Sequence, residues 1–599
     1  MTVSPTLDET WRLEDIYPSD EAFWAEKGRV DAALPGLGRF RDGLGGSATA
    51  LAEALDAVWG EAKTLSRLHA YASMRSDQDL RLAAHQRMRQ EVEIALTELS
   101  RQTSYLRPEI LALPDGTVEA FLRDQPSLAP YAPFLRNLIR QKRHVLSPPE
   151  ERILAEAGLM MGGPGQIFGV LNNAEMPRST IRLAGGDSVT LTPAVLSVVR
   201  TSSHRDDRIA ASRAYFEGYR AFQGTYGSNL FEALKSHVFR ARARKYESCV
   251  AATLDGDNIP VRVYTNLIEQ VRRHLPSLHR YFRLRARALG LSRLTYFDLH
   301  CPLVVTGSKR EYAIEGAKRL VVDALEPLGS EYTRALQQGF DDRWTDWRPA
   351  PGKRSGAYAT GAAYDVHPYM LLNFNGDFES VSTLAHEAGH AMHSHFSNRT
   401  QHYACADYSV FVAEVASTFN EALLIEKLLA EAIDRDEKLF LLGHFLDGIR
   451  ATLFRQTFFA EFELEIHTAV ERGEALTGES LSDRFLDLVR TYQGHDVGSC
   501  EVDPVFAIEW ACIPHFYYDF YVYQYATGIV AASSLAHDVL RGDSEARKRY
   551  LSFLASGASQ YPLELLRGAG VDLETPAPYD ATFRAMDAKL DALEAILDS

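Results

Sequence analysis

The chain has 599 residues, 46% of them hydrophobic and 24% charged, and a formal net charge of −16. That length can bury a large core and holds two domains' worth of material, and the acidic balance disfavours nucleic acid and anionic membrane as partners. The first residues carry no basic start and no apolar core, no run is long enough to span a membrane, and Cys249, Cys301, Cys405, Cys500 and Cys512 form no C-x-x-C pair. The expectation is a cytoplasmic protein in a reducing compartment, without a cysteine metal site.

In chain order, residues 19–106 read as amphipathic helices opening at Ser19-Asp20-Glu21, with Leu65, Leu68, Tyr71 and Ala72 at helical spacing. A second helical block covers 117–160. Its basic patch, Arg140-Gln141-Lys142-Arg143, has no interleaved aromatics and reads as a solvated face. Residues 180–183 and 188–191 alternate around Gly185-Gly186-Asp187 and predict a β-hairpin. Helices resume over 206–245 and 255–328, interrupted near His300, which reads as a packed loop residue. A boundary near residue 200 separates a helical N-terminal domain (1–200, with the hairpin at 180–191) from a second domain (201–599). Residues 356–368 read as loop, followed by a short strand, Tyr369 to Phe374, and the C-terminal helix aligns Phe583, Met586, Leu590 and Leu593 on one face.

The second domain is organised around His386-Glu387-Ala388-Gly389-His390. Two imidazoles four residues apart on a helix lie about 40° apart around the axis and about 6 Å apart along it, so both can face one ion. Glu387 stands beside that ion, in reach of a water there. Zinc is the natural ion for such a set, and its chemistry is attack by activated water on a carbonyl. Asp377 is positioned to cap this helix, and Val381, Leu384, Ala388 and Met392 form its apolar face.

A hydrolytic zinc site keeps three protein ligands and an open position. His393 is the lesser candidate for the third, because histidines at 386, 390 and 393 span about 10 Å of helix axis. Glu414 is the stronger. It sits among Val412, Ala413 and Val415, where a carboxylate is costly unless paired or on a metal, and Ser417, Thr418 and Glu421 follow within two turns to orient the ligands. The strand at 369–374 offers an edge on which an extended peptide could add, engaging Tyr369, Leu371 and Asn373. Downstream, a helix after Pro514 would put His515, Tyr518, Tyr521 and Tyr525 on one face. Neutral phenol or imidazole donors suit the oxyanion that peptide hydrolysis develops, which points to His515 with Tyr521 or Tyr525, and leaves Tyr518 for substrate contact.

Together, the runs 386–393, 411–421, 368–374 and 513–528, with Trp11 to Pro18 and Ala569-Gly570-Val571-Asp572 near the ends, resemble the oligoendopeptidase F family, relatives of thimet oligopeptidase. The resemblance spans nearly the whole chain. It implies a mainly α, elongated multi-helix body with a deep central channel and a small antiparallel β element beside the zinc helix. It also implies one zinc ion on His386, His390 and Glu414, and cleavage of short unfolded oligopeptides. By the same resemblance His515, Tyr521 and Tyr525 are transition-state donors, and Gly557 lies in a flexible loop near the substrate. Two other readings compete: a zinc carboxypeptidase or dipeptidyl carboxypeptidase, which needs a cationic anchor that the sequence does not single out, and a peptide-binding zinc protein without turnover, in which Glu387 has no purpose. Oligomeric state is not legible.

Overall fold

The structure, a computed structural model, describes residues 7–304 and 311–599. It is mainly helical and divides into two compact units, each made of three stretches of chain. The first comprises Met1–Arg143, Arg310–Lys427 and Leu535–Val571; the second comprises His144–Lys309, Leu428–Ser534 and Asp572–Ser599. The hairpin and the boundary expected near residue 200 thus both fall inside the second unit. No helix of the described residues is long and apolar enough to cross a membrane.

The first unit begins with helices whose starts are set by serines: the Ser19 side chain accepts from the Ala22 N–H, and Ser47 accepts from Ala50. Helix Ala48–Gln78 buries Leu51, Leu55, Val58, Leu65, Leu68 and Ala72 along one stripe and packs on helix Ala83–Thr103. Their shared core extends to Ala363, Tyr369 and Leu371.

Those last two residues belong to a three-stranded sheet, and here the sequence reading needs correction. Strand Tyr369–Leu371 is central, parallel to Thr345–Asp346 and antiparallel to Tyr358–Thr360, so it has no free edge. Tyr369, Met370 and Leu371 are fully buried, and the Tyr369 hydroxyl donates to the Arg12 carbonyl. Asn373 lies beyond the strand and donates through its amide to the carbonyls of Arg354 and Gly356. The edge strands are Thr345–Asp346 and Tyr358–Thr360, the latter inside the stretch expected to be loop. The N–H groups of Met370 and Leu372 point to the Trp344 and Asp346 carbonyls. Tyr369 and Leu371 therefore turn to the other neighbour, pairing with Thr360 and Tyr358, and the N–H and C=O of Ala359 face outward.

In the second unit, helices Gln223–Ala243, Arg455–Glu471 and Gly478–Gln493 pack on one another. The hairpin forms as expected, with Thr180 opposite Thr190 and Gly186 at φ +94°. C-terminal helix Ala577–Asp598 buries Phe583, Met586, Leu590 and Leu593. A buried charge cluster ties this unit together: Asp298 accepts from Arg205 (2.7 Å) and Arg208 (2.7 Å) and from the Thr295 hydroxyl. Among the described residues, His300 belongs to no cluster of potential metal ligands. Burial and the charges of Arg450, Arg200, Arg455 and Arg285 hold its imidazole well below its ordinary range, hence neutral.

Candidate metal centre and active site

Helix Phe378–Thr400 starts where the Asp377 carboxylate accepts the Ser380 N–H at 2.8 Å, and it buries Val381, Leu384, Ala388 and Met392. His386 and His390 emerge on the other side, their ring centroids 4.9 Å apart. Helix Val410–Glu431 crosses beside it, and Gly389 makes the crossing close by presenting only hydrogen to the backbone of Ala416 and Ser417. Asn420 fastens the pair, its amide donating to the Ala385 carbonyl at 3.1 Å.

That contact brings Glu414 to the histidines. Its Oε2 lies 3.4 Å from His386 Nε2 and 3.6 Å from His390 Nε2. Donors about 2.1 Å from a tetrahedral ion stand about 3.4 Å apart, so the three atoms have the spacing of a ligand set. Ser417 donates to the same Glu414 oxygen at 3.0 Å, and Glu421 sits 3.3 Å from His386 Nδ1, the ring nitrogen turned away from the site. Both are orienting contacts of the kind that fix metal ligands.

His393 does not join them. It lies flat against Tyr408, centroids 3.7 Å apart, and also contacts Phe553; burial pushes its imidazole down to about 3. Less than one turn beyond His390, it packs between Tyr408 and Phe553 and lies outside the cluster of His386, His390 and Glu414.

The sequence profile of peptidase family M3 matches residues 198–585, and that of the oligopeptidase F N-terminal region matches residues 109–177. The chain belongs to peptidase family M3. Its relatives include Bacillus subtilis oligopeptidase PepF, 40% identical over 98% of this chain and 87% of that one. Among solved structures, one from Chlamydophila abortus superposes with a TM-score of 0.93 at 34% identity, covering 99% of each chain. Oligoendopeptidase-F from Enterococcus faecium gives 0.74 at 32% identity, covering 97% of this chain and 99% of that one. This M3 chain is a metalloendopeptidase of the oligoendopeptidase F kind.

Within the M3 site, Glu387 is the perturbed acid. Only 6% exposed, it has its carboxyl pushed up to about 7, first by burial, with the charge of His386 opposing and those of Glu414 and Glu421 adding; the Ala359 N–H faces it from the edge strand. Its Oε2 is buried without a hydrogen-bond partner. Burial alone would lower His386, but Glu421, with the charges of Glu387 and Glu414, raises it to about 9. His390 moves the opposite way, lowered by burial and then by the charge on His386. Three carboxylates thus crowd two imidazoles around one orphaned oxygen, a negative cluster that a divalent cation balances. The residues fit the metal that the family implies.

The tyrosine run takes another form than the single helix expected. Pro514–Tyr517 is a short 3-10 turn, Asp519 (φ +52°) and Phe520 (φ +61°) are left-handed, and the helix begins only at Tyr523. This reversal folds the run on itself within the second unit. His515 lies 6.2 Å from Tyr521 and 5.9 Å from Tyr525 between ring centroids, and Tyr521 lies 5.5 Å from Tyr525. Tyr518 meets the edge of His515 at 5.8 Å and is 56% exposed. Burial lowers the His515 pKa, favouring the neutral imidazole. Gly557 is buried in a turn at φ +49°, facing the Cys405 carbonyl and Ser397, while the following Ala558 N–H donates to Cys405; it is a packed turn of the first unit.

Two contributors escaped the sequence reading. Ala359 acts through its backbone, which no side-chain pattern reports. Gly389 was visible only as a helix residue of low propensity, a weak flag for close approach.

Proposed function

We propose that the protein is a zinc endopeptidase acting on short unfolded oligopeptides, with His386, His390 and Glu414 holding one ion. When bound, zinc supplies Lewis acidity that makes a water nucleophilic near neutral pH and polarises the scissile carbonyl. Glu387 is the proton carrier. Buried, with Oε2 left without a partner, it accepts a proton from the attacking water and delivers it to the leaving amine as the carbon–nitrogen bond breaks. His515 with Tyr521 or Tyr525 supplies neutral donors to the developing oxyanion, and exposed Tyr518 contacts substrate.

An extended peptide adds to the outward edge of strand Tyr358–Thr360 through the C=O of Ala359, the N–H of that residue being turned to Glu387; Tyr369, Leu371 and Asn373, paired or bonded elsewhere, do not present that edge. Edge pairing reads backbone and requires an extended chain, which favours unfolded peptides. The observation that carries the reading is the convergence of Glu414 on His386 and His390, with Glu387 buried alongside.

A peptide acetylated at its N-terminus and amidated at its C-terminus tests it. Mass spectrometry of the products is expected to show internal cuts at a rate similar to that of the unblocked peptide. Cleavage only of the free-carboxylate form would instead indicate a carboxypeptidase.

A further inference from the structure

Among the described residues one other group has the spacing of a metal site, and it lies wholly within the second unit. His237, on helix Gln223–Ala243, His467, on helix Arg455–Glu471, and Asp519, in the left-handed turn, place one donor atom each within 4.8 Å of the others. His237 Nδ1 is 3.0 Å from His467 Nε2 and 3.5 Å from Asp519 Oδ1. The imidazole–carboxylate separation of 3.5 Å falls between the 3.4 and 3.6 Å that separate Glu414 from its two histidines, while the two imidazoles here stand at hydrogen-bond distance.

Proton counting shows why hydrogen bonding alone leaves the group incomplete. His467, fully buried, has its Nδ1 2.8 Å from the Glu463 carbonyl, which can only accept; that nitrogen carries the proton, and Nε2 offers a lone pair. The His237 Nδ1 proton, if present, can satisfy that lone pair or Asp519, not both. Asp519 Oδ1 is in fact buried with no hydrogen-bond partner. A cation satisfies all three at once.

The framework is built to hold these donors. Glu463, fully buried, orients His467 through its carbonyl and accepts the Phe520 N–H at 2.7 Å through its carboxylate. One residue thereby fixes one ligand and the turn that carries another. Asp519 and Phe520 are consecutive non-glycine residues at positive φ, a conformation that persists only where its surroundings enforce it. A cavity of about 560 Å³, lined by His237 and Asp519 with Tyr517 and Tyr518, gives an ion access; Arg244 in the same wall is paired with Glu151 at 2.9 Å.

We propose that His237, His467 and Asp519 form a second site for a divalent cation, distinct from the catalytic one. Two imidazoles and a carboxylate select zinc or a neighbouring first-row ion over calcium or magnesium.

Zinc stoichiometry of the full-length protein tests this, measured by mass spectrometry after loading with Zn2+ and desalting, with circular dichroism to verify folding. Wild type is expected to retain two equivalents, His386→Ala/His390→Ala one, and Asp519→Asn or His237→Asn one. Combining Asp519→Asn with His386→Ala/His390→Ala should leave none. The site is overturned if His386→Ala/His390→Ala retains no zinc, or if folded Asp519→Asn still retains two equivalents. Because the readout is bound metal, it is independent of whether Glu387 is the catalytic base.

Discussion

A methyl group added to Gly389 would lie 2.5 Å from the Ala416 carbonyl oxygen and 2.6 Å from the Ser417 α-carbon. The helix bearing His386 and His390 therefore approaches the helix bearing Glu414 only because residue 389 has no side chain. Both obstructing atoms are backbone, so neither can swing aside.

Gly389→Ala should consequently separate the ligands while leaving the fold intact. Overpacking of this kind costs about 1–3 kcal/mol in stability. A displacement of about 1 Å at the centre should lower peptide cleavage by about 100-fold. Metal content and the steady-state rate on a quenched peptide, measured on the same preparation, check this; unchanged values for both would mean that the close contact does not set the ligand geometry.

Activity should fall as pH drops. Burial raises the Glu387 carboxyl to about 7 in the metal-free site, and the positive charge of a bound ion pulls it down from there. Glu387 must be ionised to accept a proton, so kcat/KM should rise with pH along an acid limb at or below neutrality and flatten above it. The same profile for Glu387→Asp should shift its limb. A limb that stays in place would assign it to another group.

The Asp298 cluster makes a separate claim about stability. Burial alone would raise this carboxyl, but hydrogen bonds from Arg205, Arg208 and Thr295 outweigh it and hold it below its ordinary range. A lowered folded-state pKa contributes stability above the unfolded value of about 4, and that stability is lost as pH falls through the lower folded value. Asp298→Asn leaves Arg208, only 3% exposed, without its buried counter-charge, so unfolding should become easier by about 3–5 kcal/mol at pH 7. Wild type should lose part of this advantage below about pH 4. Chemical denaturation at several pH values measures both effects.

How much of this was legible in the sequence depends on whether side-chain spacing or backbone carried the information. His386 and His390 announce themselves because a four-residue interval on a helix is a geometric statement, and Glu414 because its neighbours are apolar. The strand at 369–371 was visible as an apolar run, yet its central position depends on a two-residue strand 24 positions upstream (Thr345) that has no pattern of its own. The turn at Asp519 and Phe520 was hidden for a different reason: neither residue is glycine, so nothing marked the left-handed backbone that bends the tyrosine run. His237 and His467 lie 230 residues apart and pair only through the packing of their helices.

The most direct test of the central claim is to compare wild type and Glu387→Ala on an internally quenched oligopeptide, with zinc content measured in both. With His386, His390 and Glu414 untouched, both should hold metal at the catalytic centre, while cleavage by the variant should drop by at least about 100-fold, the scale of a lost general base. Equal rates at equal metal content would contradict the assignment of Glu387 as the group that moves the proton.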